Sequence, residues 1–177
     1  MKPFFRAGPV LLEQAFECYY PAIFRYFRFR GADADTANDL ASTTFERALS
    51  HISAFDPHRA QIQTWLFSIA RNAAINHWKV ENAHGFVALD DDLPTPDDLP
   101  LEQTIILAQD KAQILLALQL LDDRSREIVA FKFGGLLTNR QIADLTDLTE
   151  SNVGVLLYRA LLKLRTLLTA PTEARHE

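Results

Sequence analysis

The stretch Phe55–Lys79, FDPHRAQIQTWLFSIARNAAINHWK, contains the signals that decide the fold of this chain. Thr64 is placed to cap the start of a helix, because a threonine hydroxyl satisfies the free N–H groups of a first helical turn. The apolar residues that follow recur at three- and four-residue spacing: Leu66, Ile69, Ala70 and Ala73. This spacing predicts a helix with one buried stripe.

The other face of the same helix is polar and aromatic. It carries Ser68, Arg71, Asn72, Asn76 and Lys79, with Phe67 and Trp78 alongside. Rings stack on unpaired bases, amides bond to exposed base edges and cations bind phosphates. The face therefore favours contact with single-stranded nucleic acid. Trp65, at the start of the helix, is expected instead to anchor the core.

Composition indicates a soluble globular protein of 177 residues, 48% of them hydrophobic and 23% charged. No apolar run reaches the roughly 18 residues of a membrane span, so we expect a cytoplasmic protein without membrane insertion. The single Cys18 excludes an internal disulfide and is expected in the core. The five histidines lack partners at ligand spacing, so no metal site and no cofactor are expected.

The net charge of −5 is concentrated in one segment. Residues 80–102 hold seven of the 23 acidic residues and no Lys or Arg, which leaves 16 Asp and Glu against 18 Lys and Arg elsewhere. Pro94, Pro96 and Pro100 oppose a helix there. We therefore interpret this segment as an extended acidic linker between two helical domains, at 1–79 and 103–177.

Two helices are predicted before the opening stretch. The first carries Leu12, Phe16, Tyr19, Ile23 and Phe27 on its apolar side and is expected to kink at Pro21 and end at Gly31. Arg25, Arg28 and Arg30 near its end suit either a solvated last turn or phosphate contact. The second, about Thr36 to Ile52, is expected to be capped within Asp33–Thr36. It has a clean apolar stripe: Ala37, Leu40, Ala41, Thr44, Phe45, Ala48, Leu49 and Ile52.

A helix-turn-helix is predicted in the C-terminal domain. Asp122 and Asp123 are expected to cap a short helix that ends at Gly134 and Gly135. Thr138 and Gln141 form a capping-box signature, and Thr149 caps the last helix after a turn at Asp147. The last helix is expected to bury Val153, Leu156, Leu157, Ala160, Leu161, Leu164 and Leu168. Helical hairpins that bind no DNA share this pattern, so alone it is moderate evidence.

Taken together, these segments resemble a known family. TWLFSIARN and the polar helix after it are similar to the DNA-melting segment of bacterial sigma-70 factors of the extracytoplasmic-function group. DDRSREIVAFKFGG, the helix-turn-helix and YRALLKLR resemble the segment that reads the distal promoter element. The matched blocks cover roughly 10–79 and 112–168 in the family's order. The resemblance implies an all-α protein that binds core RNA polymerase and promoter DNA.

The resemblance also implies site residues in the N-terminal domain. Polymerase docking would use Asp39, Leu40, Ser42, Thr43 and Glu46, although the family usually has Gln and an acid at 42 and 43. Promoter melting would use Arg59, Gln61, Arg71, Asn72, Asn76 and Lys79, with Asn72 and Asn76 in a pocket for a flipped base. An ordinary solvated helix face remains the alternative for the docking residues.

In the C-terminal domain the implied DNA contacts are Arg140, Ser151, Asn152, Val155, Arg159 and Lys163. Gly154 and Val155 stand where many relatives have Lys and Arg, which predicts a weak grip on phosphate. The acidic linker is either a flexible tether or, as in the family, a mimic of RNA in the exit path.

The function we expect is that of a sigma factor, without catalytic activity of its own. An anti-sigma factor is a further candidate partner, because such partners are common in the family. Two alternatives stay open at this point: a helix-turn-helix regulator that acts without polymerase, and a degenerate protein-interaction module.

Overall fold

The computed structural model describes residues 8–81 and 101–169. These two segments contain seven α-helices, a 3₁₀ turn at Ile52–Ala54 and a π turn at Ala130–Gly134, and no strand. The helices are α1 Gly8–Arg30, α2 Ala34–His51, α3 Ile62–Glu81, α4 Leu101–Gln119, α5 Asp123–Val129, α6 Asn139–Thr146 and α7 Glu150–Thr169. The predicted all-α fold is confirmed. Most of the predicted linker lies outside the described residues.

Helices α1 and α2 form a hairpin whose corner follows the predicted signals. Gly31 adopts a φ of 108°, and the N–H groups of Gly31 and Ala32 bond to the carbonyls of Arg28 and Phe27, each at 3.1 Å. The Asp33 carboxylate then caps α2 by accepting the Thr36 N–H at 2.6 Å. α1 runs unbroken through Pro21.

Three expectations about the N-terminal helices are wrong. Helix α3 begins at Ile62, so Thr64 lies inside its first turn rather than capping it. Cys18 is exposed instead of buried, because it lies in a stretch of α1, residues 16–18, whose side chains face solvent. Phe16 is also largely exposed, at 44%, although it contacts the Phe45 ring edge to face at a centroid distance of 4.9 Å.

The two arginines at the end of α1 are buried, so neither predicted role for them is correct. Arg28 is fully buried and donates to the Ala32 carbonyl at 2.9 Å. Arg30, 4% exposed, forms an ion pair with Asp123 at 3.0 Å and lies over the Trp78 ring at 5.1 Å. Because a buried guanidinium needs such partners, both side chains serve the core and cannot contact phosphate.

The C-terminal helices begin at their predicted caps. The Asp122 carboxylate accepts the Ser125 N–H at 2.9 Å, and this hydrogen bond holds the pKa of Asp122 below its usual value. Thr138 and Gln141 form the full capping box, and Asp147 ends α6 in the left-handed conformation at a φ of 53°. Thr149 accepts the Asn152 N–H at 3.2 Å at the start of α7.

Arg126, a residue of the short helix α5, connects α5 to the end of α4. Its guanidinium donates to the carbonyls of Leu118, Gln119 and Leu121 at 3.1, 2.9 and 2.8 Å, in the last turn of α4 and just after it, where carbonyls lack α-helical partners. Burial, together with the nearby Arg30, lowers the pKa of Arg126. The turn between α4 and α5 is therefore closed by one side chain.

Helix α7 has a narrower buried stripe than predicted. Val153, Leu157, Ala160 and Leu164 are buried. Leu161 and Leu168 are 44% and 37% exposed, so their predicted burial is wrong. The reason is that α7 meets its neighbours along one side only, and leucines on its other side have nothing to pack against.

The C-terminal helices pack directly onto the N-terminal ones, and the buried residues of both form one core. The Phe131 ring, from the π turn, stacks on Tyr26 of α1 at a centroid distance of 4.8 Å. Phe67 of α3 meets the Tyr26 ring edge to face at 5.7 Å. Burial raises the pKa of Tyr26, so its hydroxyl stays neutral.

Two glycines allow this close packing. A Cβ at Gly134 would lie 2.9 Å from the Tyr26 backbone, and one at Gly135 would lie 2.8 Å from the Phe67 ring. Real Cβ atoms do not approach other atoms so closely. The π turn can therefore contact α1 and α3 only because both positions lack a side chain.

Gly134→Ala is expected to destabilise the protein. Because the new methyl group would collide with backbone that cannot rotate away, we expect a loss of about 1–3 kcal/mol in the free energy of unfolding. Urea denaturation followed by circular dichroism measures it. Gly154→Ala is the matched control, since a Cβ there meets only Asn139 at 4.0 Å and should raise helix stability. Equal stability of both variants would contradict the packing argument.

Candidate nucleic-acid interface

The polar face of α3 is partly open to solvent. Asn72, Asn76 and Lys79 are exposed and follow one another at four- and three-residue spacing, so they lie on one side of the helix. Arg59, in the loop before α3, is also exposed. The His58 N–H bonds to the Asp56 carboxylate at 2.9 Å and shapes that loop. The four exposed side chains offer two amides and two cations.

Two other predicted melting residues are already bound within the chain. The Arg71 Nε donates to Glu127 at 2.9 Å, across 56 residues of sequence. The Gln61 side chain accepts from the Gln141 amide at 3.1 Å. Both partners belong to the C-terminal helices, and the sequence contains no local signal for either contact.

Phe67 is not on the accessible face of α3, so the prediction that its ring lies beside the base-contacting residues is wrong. Phe67 is fully buried between Tyr26 and Phe131. Trp78 is half-buried and covered on one side by Arg30, and its edge meets His77 at 5.2 Å. Trp65 is half-buried and packs on Phe55 at 5.0 Å, close to its predicted role as an anchor. Amides and cations, rather than rings, dominate the accessible part of α3.

The predicted docking residues lie along one side of α2. Asp39, Ser42 and Glu46 are exposed, whereas Leu40 and Thr43 are half-buried at the margin. Leu49 continues the same side and is 56% exposed, although the apolar pattern had placed it in the core. Leu49 lies four residues after Phe45, and buried residues of α2 are separated by the same spacing. Only the packing of the other helices therefore decides that Leu49 is exposed. Exposed acidic side chains beside one apolar side chain are suited to bind a protein surface that carries positive charge.

The predicted DNA contacts of the helix-turn-helix all reach solvent. Arg140 projects from α6, and Ser151, Asn152, Val155, Arg159 and Lys163 lie along the outer side of α7. Val153 and Ala143 are both buried, and α6 and α7 are in contact, as the helix-turn-helix pattern predicts. Tyr158, 65% exposed, borders the same side and was not among the predicted residues. An exposed aromatic beside two cations is a common composition for a nucleic-acid surface.

The described residues contain no group of three or more His, Cys, Asp or Glu side chains that could hold a metal ion. None of the described helices is long and apolar enough to cross a membrane.

Comparison with family models identifies both halves of the chain. Residues 15–83 match Sigma-70 region 2, and residues 111–164 match Sigma-70 region 4. The chain belongs to the sigma-70 family, in its extracytoplasmic-function group. It is a sigma factor, a protein that directs transcription initiation. The family is not a class of enzymes.

Curated relatives agree with this assignment. The sigma factor is 29% identical to the ECF RNA polymerase sigma factor BldN of Streptomyces coelicolor over 161 residues, which cover 90% of this chain and 60% of BldN. It is 28% identical to the RNA polymerase sigma factor YlaC of Bacillus subtilis, over 92% of this chain and 94% of YlaC. The chain thus spans about three fifths of the longer relative and nearly all of the shorter one.

Solved structures share the fold. The sigma factor RpoE of Bartonella quintana, in complex with the anti-sigma factor NepR, superposes with a TM-score of 0.69 at 18% identity and covers 89% of this chain and 96% of its own. CnrH, in complex with the cytosolic domain of CnrY, gives 0.65 at 20% identity, over 90% and 88% of the two chains. At these identities the likeness concerns the fold alone.

Proposed function

We propose that this sigma factor binds core RNA polymerase, recognises a two-part promoter and helps to melt it. Residues 1–79 would dock on the polymerase and open the DNA. Residues 80–102 would connect the two domains, and residues 103–177 would read the distal promoter element. The single observation that carries the proposal is that both family regions occur in order and each presents most of its predicted polar residues to solvent. The polymerase, not this chain, would carry out the chemistry.

Docking would use the exposed side of α2. Asp39 and Glu46 lie two turns apart and place two carboxylates in one row, with Ser42 between them and Leu40 and Thr43 at the margin. None of the three exposed side chains is held by an ion pair in the described structure. Such a row can meet a basic partner surface without first breaking an internal contact.

Melting would use the accessible part of α3. Asn72 and Asn76 can donate to and accept from the edges of unpaired bases, while Lys79 and Arg59 bind phosphates. Extruding a base costs a few kcal/mol of lost stacking, so these contacts must offset that cost. They form only after the base leaves the duplex, which favours the open state.

Distal-element reading would use α7, with the phosphate contacts left to Arg140, Arg159 and Lys163. Gly154 and Val155 add no cation at the start of the recognition helix. Few phosphate contacts release few counterions, so the isolated interaction should be weak. Polymerase would compensate by holding both units on one promoter, where the second contact becomes intramolecular.

Two further proposals concern the setting. We infer that the sigma factor acts in the cytoplasm, where the polymerase is, and that an anti-sigma factor can bind it. The second inference is supported by RpoE, whose structure was determined in complex with the anti-sigma factor NepR and shares this fold.

Run-off transcription with purified core polymerase on genomic fragments tests the function directly. We expect discrete transcripts that depend on this chain and on a defined upstream sequence. Footprinting of DNA by the chain without polymerase would instead support an independent regulator. Core binding without any transcript would support a degenerate interaction module.

Reversal of charge on α2 should weaken polymerase binding. For Asp39→Arg with Glu46→Arg we expect at least a tenfold loss of affinity, about 1.4 kcal/mol, because two favourable charges become repulsive. Glu13→Arg with Glu17→Arg is the matched control, since both acids are exposed on α1 at the same kind of helical spacing. Fluorescence titration of labelled chain with core enzyme gives both values, and equal losses would reject α2 as the docking side.

Removal of the two α3 amides should impair melting rather than closed-complex formation. For Asn72→Ala with Asn76→Ala we expect several-fold lower permanganate reactivity of promoter thymines, since the lost contacts exist only with unstacked bases. A pre-melted template should restore transcription. Gln14→Ala with Gln113→Ala, which removes two exposed amides elsewhere, should have no effect. Full reactivity of the α3 variant would make that face merely structural.

A further inference from the structure

A cavity of about 510 Å³ lies along the second half of α1. The described residues that line it come from three helices: Tyr20, Pro21, Phe24, Arg25 and Phe29 of α1, Asn38 of α2 and Lys111 of α4. None of these residues belongs to the contacts proposed for polymerase or DNA. The volume lies within the range of about 300–1,000 Å³ that small-molecule sites have in proteins. The cavity is therefore large enough for a small organic molecule.

The wall that α1 contributes is mostly apolar. Its side chains recur at four-residue spacing and so share one side of the helix: Tyr20 and Phe24, then Pro21, Arg25 and Phe29. The three aromatic rings are all half-buried, and a ligand that covers them removes apolar surface from water. The wall runs from residue 20 to residue 29, which is roughly 13 Å at about 1.5 Å of rise per residue. An extended chain of about eight to ten carbons fits within that length.

The charge of the lining is positive. Arg25 is half-buried, and its guanidinium forms no ion pair or hydrogen bond with another described residue. Arg28 and Arg30, by contrast, are buried against partners within the protein. Lys111 brings a second cation to the lining, and no acidic residue is among the described residues that surround the cavity. Charge complementarity therefore favours an anionic ligand.

The Asn38 amide adds hydrogen-bond donors at a fixed position. The Tyr20 hydroxyl donates to the Asn38 Oδ1, whereas the Nδ2 has no hydrogen-bond partner within residues 8–81 and 101–169. Tyr20 is itself held by the rings of Phe16 and Phe45, at centroid distances of 4.7 and 5.9 Å. The edge of the cavity is thus built before any ligand arrives, which lowers the entropy cost of binding.

The lining suits a carboxylate better than a peptide. Its polar groups are chiefly donors: the Arg25 guanidinium, the Lys111 ammonium and the Asn38 NH₂ group. An ionised carboxylate is an acceptor alone and needs only donors. A peptide also carries an N–H group on almost every residue, and these groups need acceptors when they are buried. The cavity therefore favours a small acid with an apolar body.

We propose that this cavity, here called the Arg25 pocket, binds a monocarboxylic acid with an apolar body of about eight to ten carbons. The apolar body lies along α1 against Phe24 and Phe29. The carboxylate pairs with Arg25 and accepts from the Asn38 amide, and Lys111 adds to the attraction. Binding at this site does not depend on polymerase docking or on promoter contact, so it can be tested separately from the proposed function.

Sodium octanoate is the probe, and isothermal titration calorimetry with the full chain measures its binding. We expect saturable binding of one octanoate per chain and at least about fivefold weaker binding of octan-1-ol, which lacks the charge. Octyltrimethylammonium carries the opposite charge and should bind more weakly than octan-1-ol. Equal affinities for octanoate and octan-1-ol, or uptake of many octanoates without saturation, would overturn the proposal.

Arg25→Gln tests the charged end of the pocket. The variant should bring the affinity for octanoate to within about twofold of that for octan-1-ol and leave the octan-1-ol affinity unchanged, because only the acid loses a contact. Arg47→Gln is the matched control, since it removes the same charge from an exposed position of α2 outside the pocket. That control should keep the preference for octanoate. A preserved preference in Arg25→Gln would reject the pairing of the carboxylate with Arg25.

Phe24→Ala tests the apolar wall. Both ligands should bind at least about threefold more weakly and by a similar factor, because they share the apolar contact. Tyr158→Ala, which removes an exposed ring from α7, should change neither affinity. Unchanged binding in a folded Phe24→Ala variant would place the ligand elsewhere and reject the pocket.

Circular dichroism shows whether the Arg25→Gln and Phe24→Ala variants are folded. If one of them is unfolded, the other decides. If both are unfolded, the preference of the unchanged chain for octanoate over octan-1-ol decides.

Discussion

The close approach of the Gly134–Gly135 turn to α1 and α3 is the constraint on which the rest of the structure depends. Two missing side chains let the backbone come within van der Waals distance of Tyr26 and Phe67. Phe131 can then stack on Tyr26 and complete a buried aromatic cluster. The cluster belongs to a single core that contains buried residues of both halves of the chain.

The contact between the N-terminal and C-terminal helices is buried, and this burial determines which charged side chains form ion pairs there. Arg30 and Glu127 are shielded from water, so their charges need partners within the protein. Arg30 pairs with Asp123. Glu127 pairs with Arg71 and Arg124. Removal of one partner of such a pair is strongly destabilising, because it leaves the other charge buried without compensation.

The three surfaces that we propose to be functional differ in how far they depend on that interface. The acids of α2 and the outer side of α7 are exposed whether or not the units touch. The polar face of α3 is divided, with Asn72, Asn76 and Lys79 free and Arg71 engaged. Polymerase docking on α2, as proposed, would therefore use side chains that are already exposed, whereas Arg71 would have to leave Glu127 before it could bind DNA.

The sequence by itself determined the features that depend only on residues close together in the chain. Caps at Asp33, Asp122 and Thr138, and the left-handed turn at Asp147, follow from local hydrogen bonding and steric limits. Only the tertiary structure decided that Phe67, Arg28 and Arg30 are buried, that Leu49 and Leu161 are exposed, and that Arg71 meets Glu127. Helical spacing marks which residues share a side, but what covers that side is set by contacts between residues far apart in the chain.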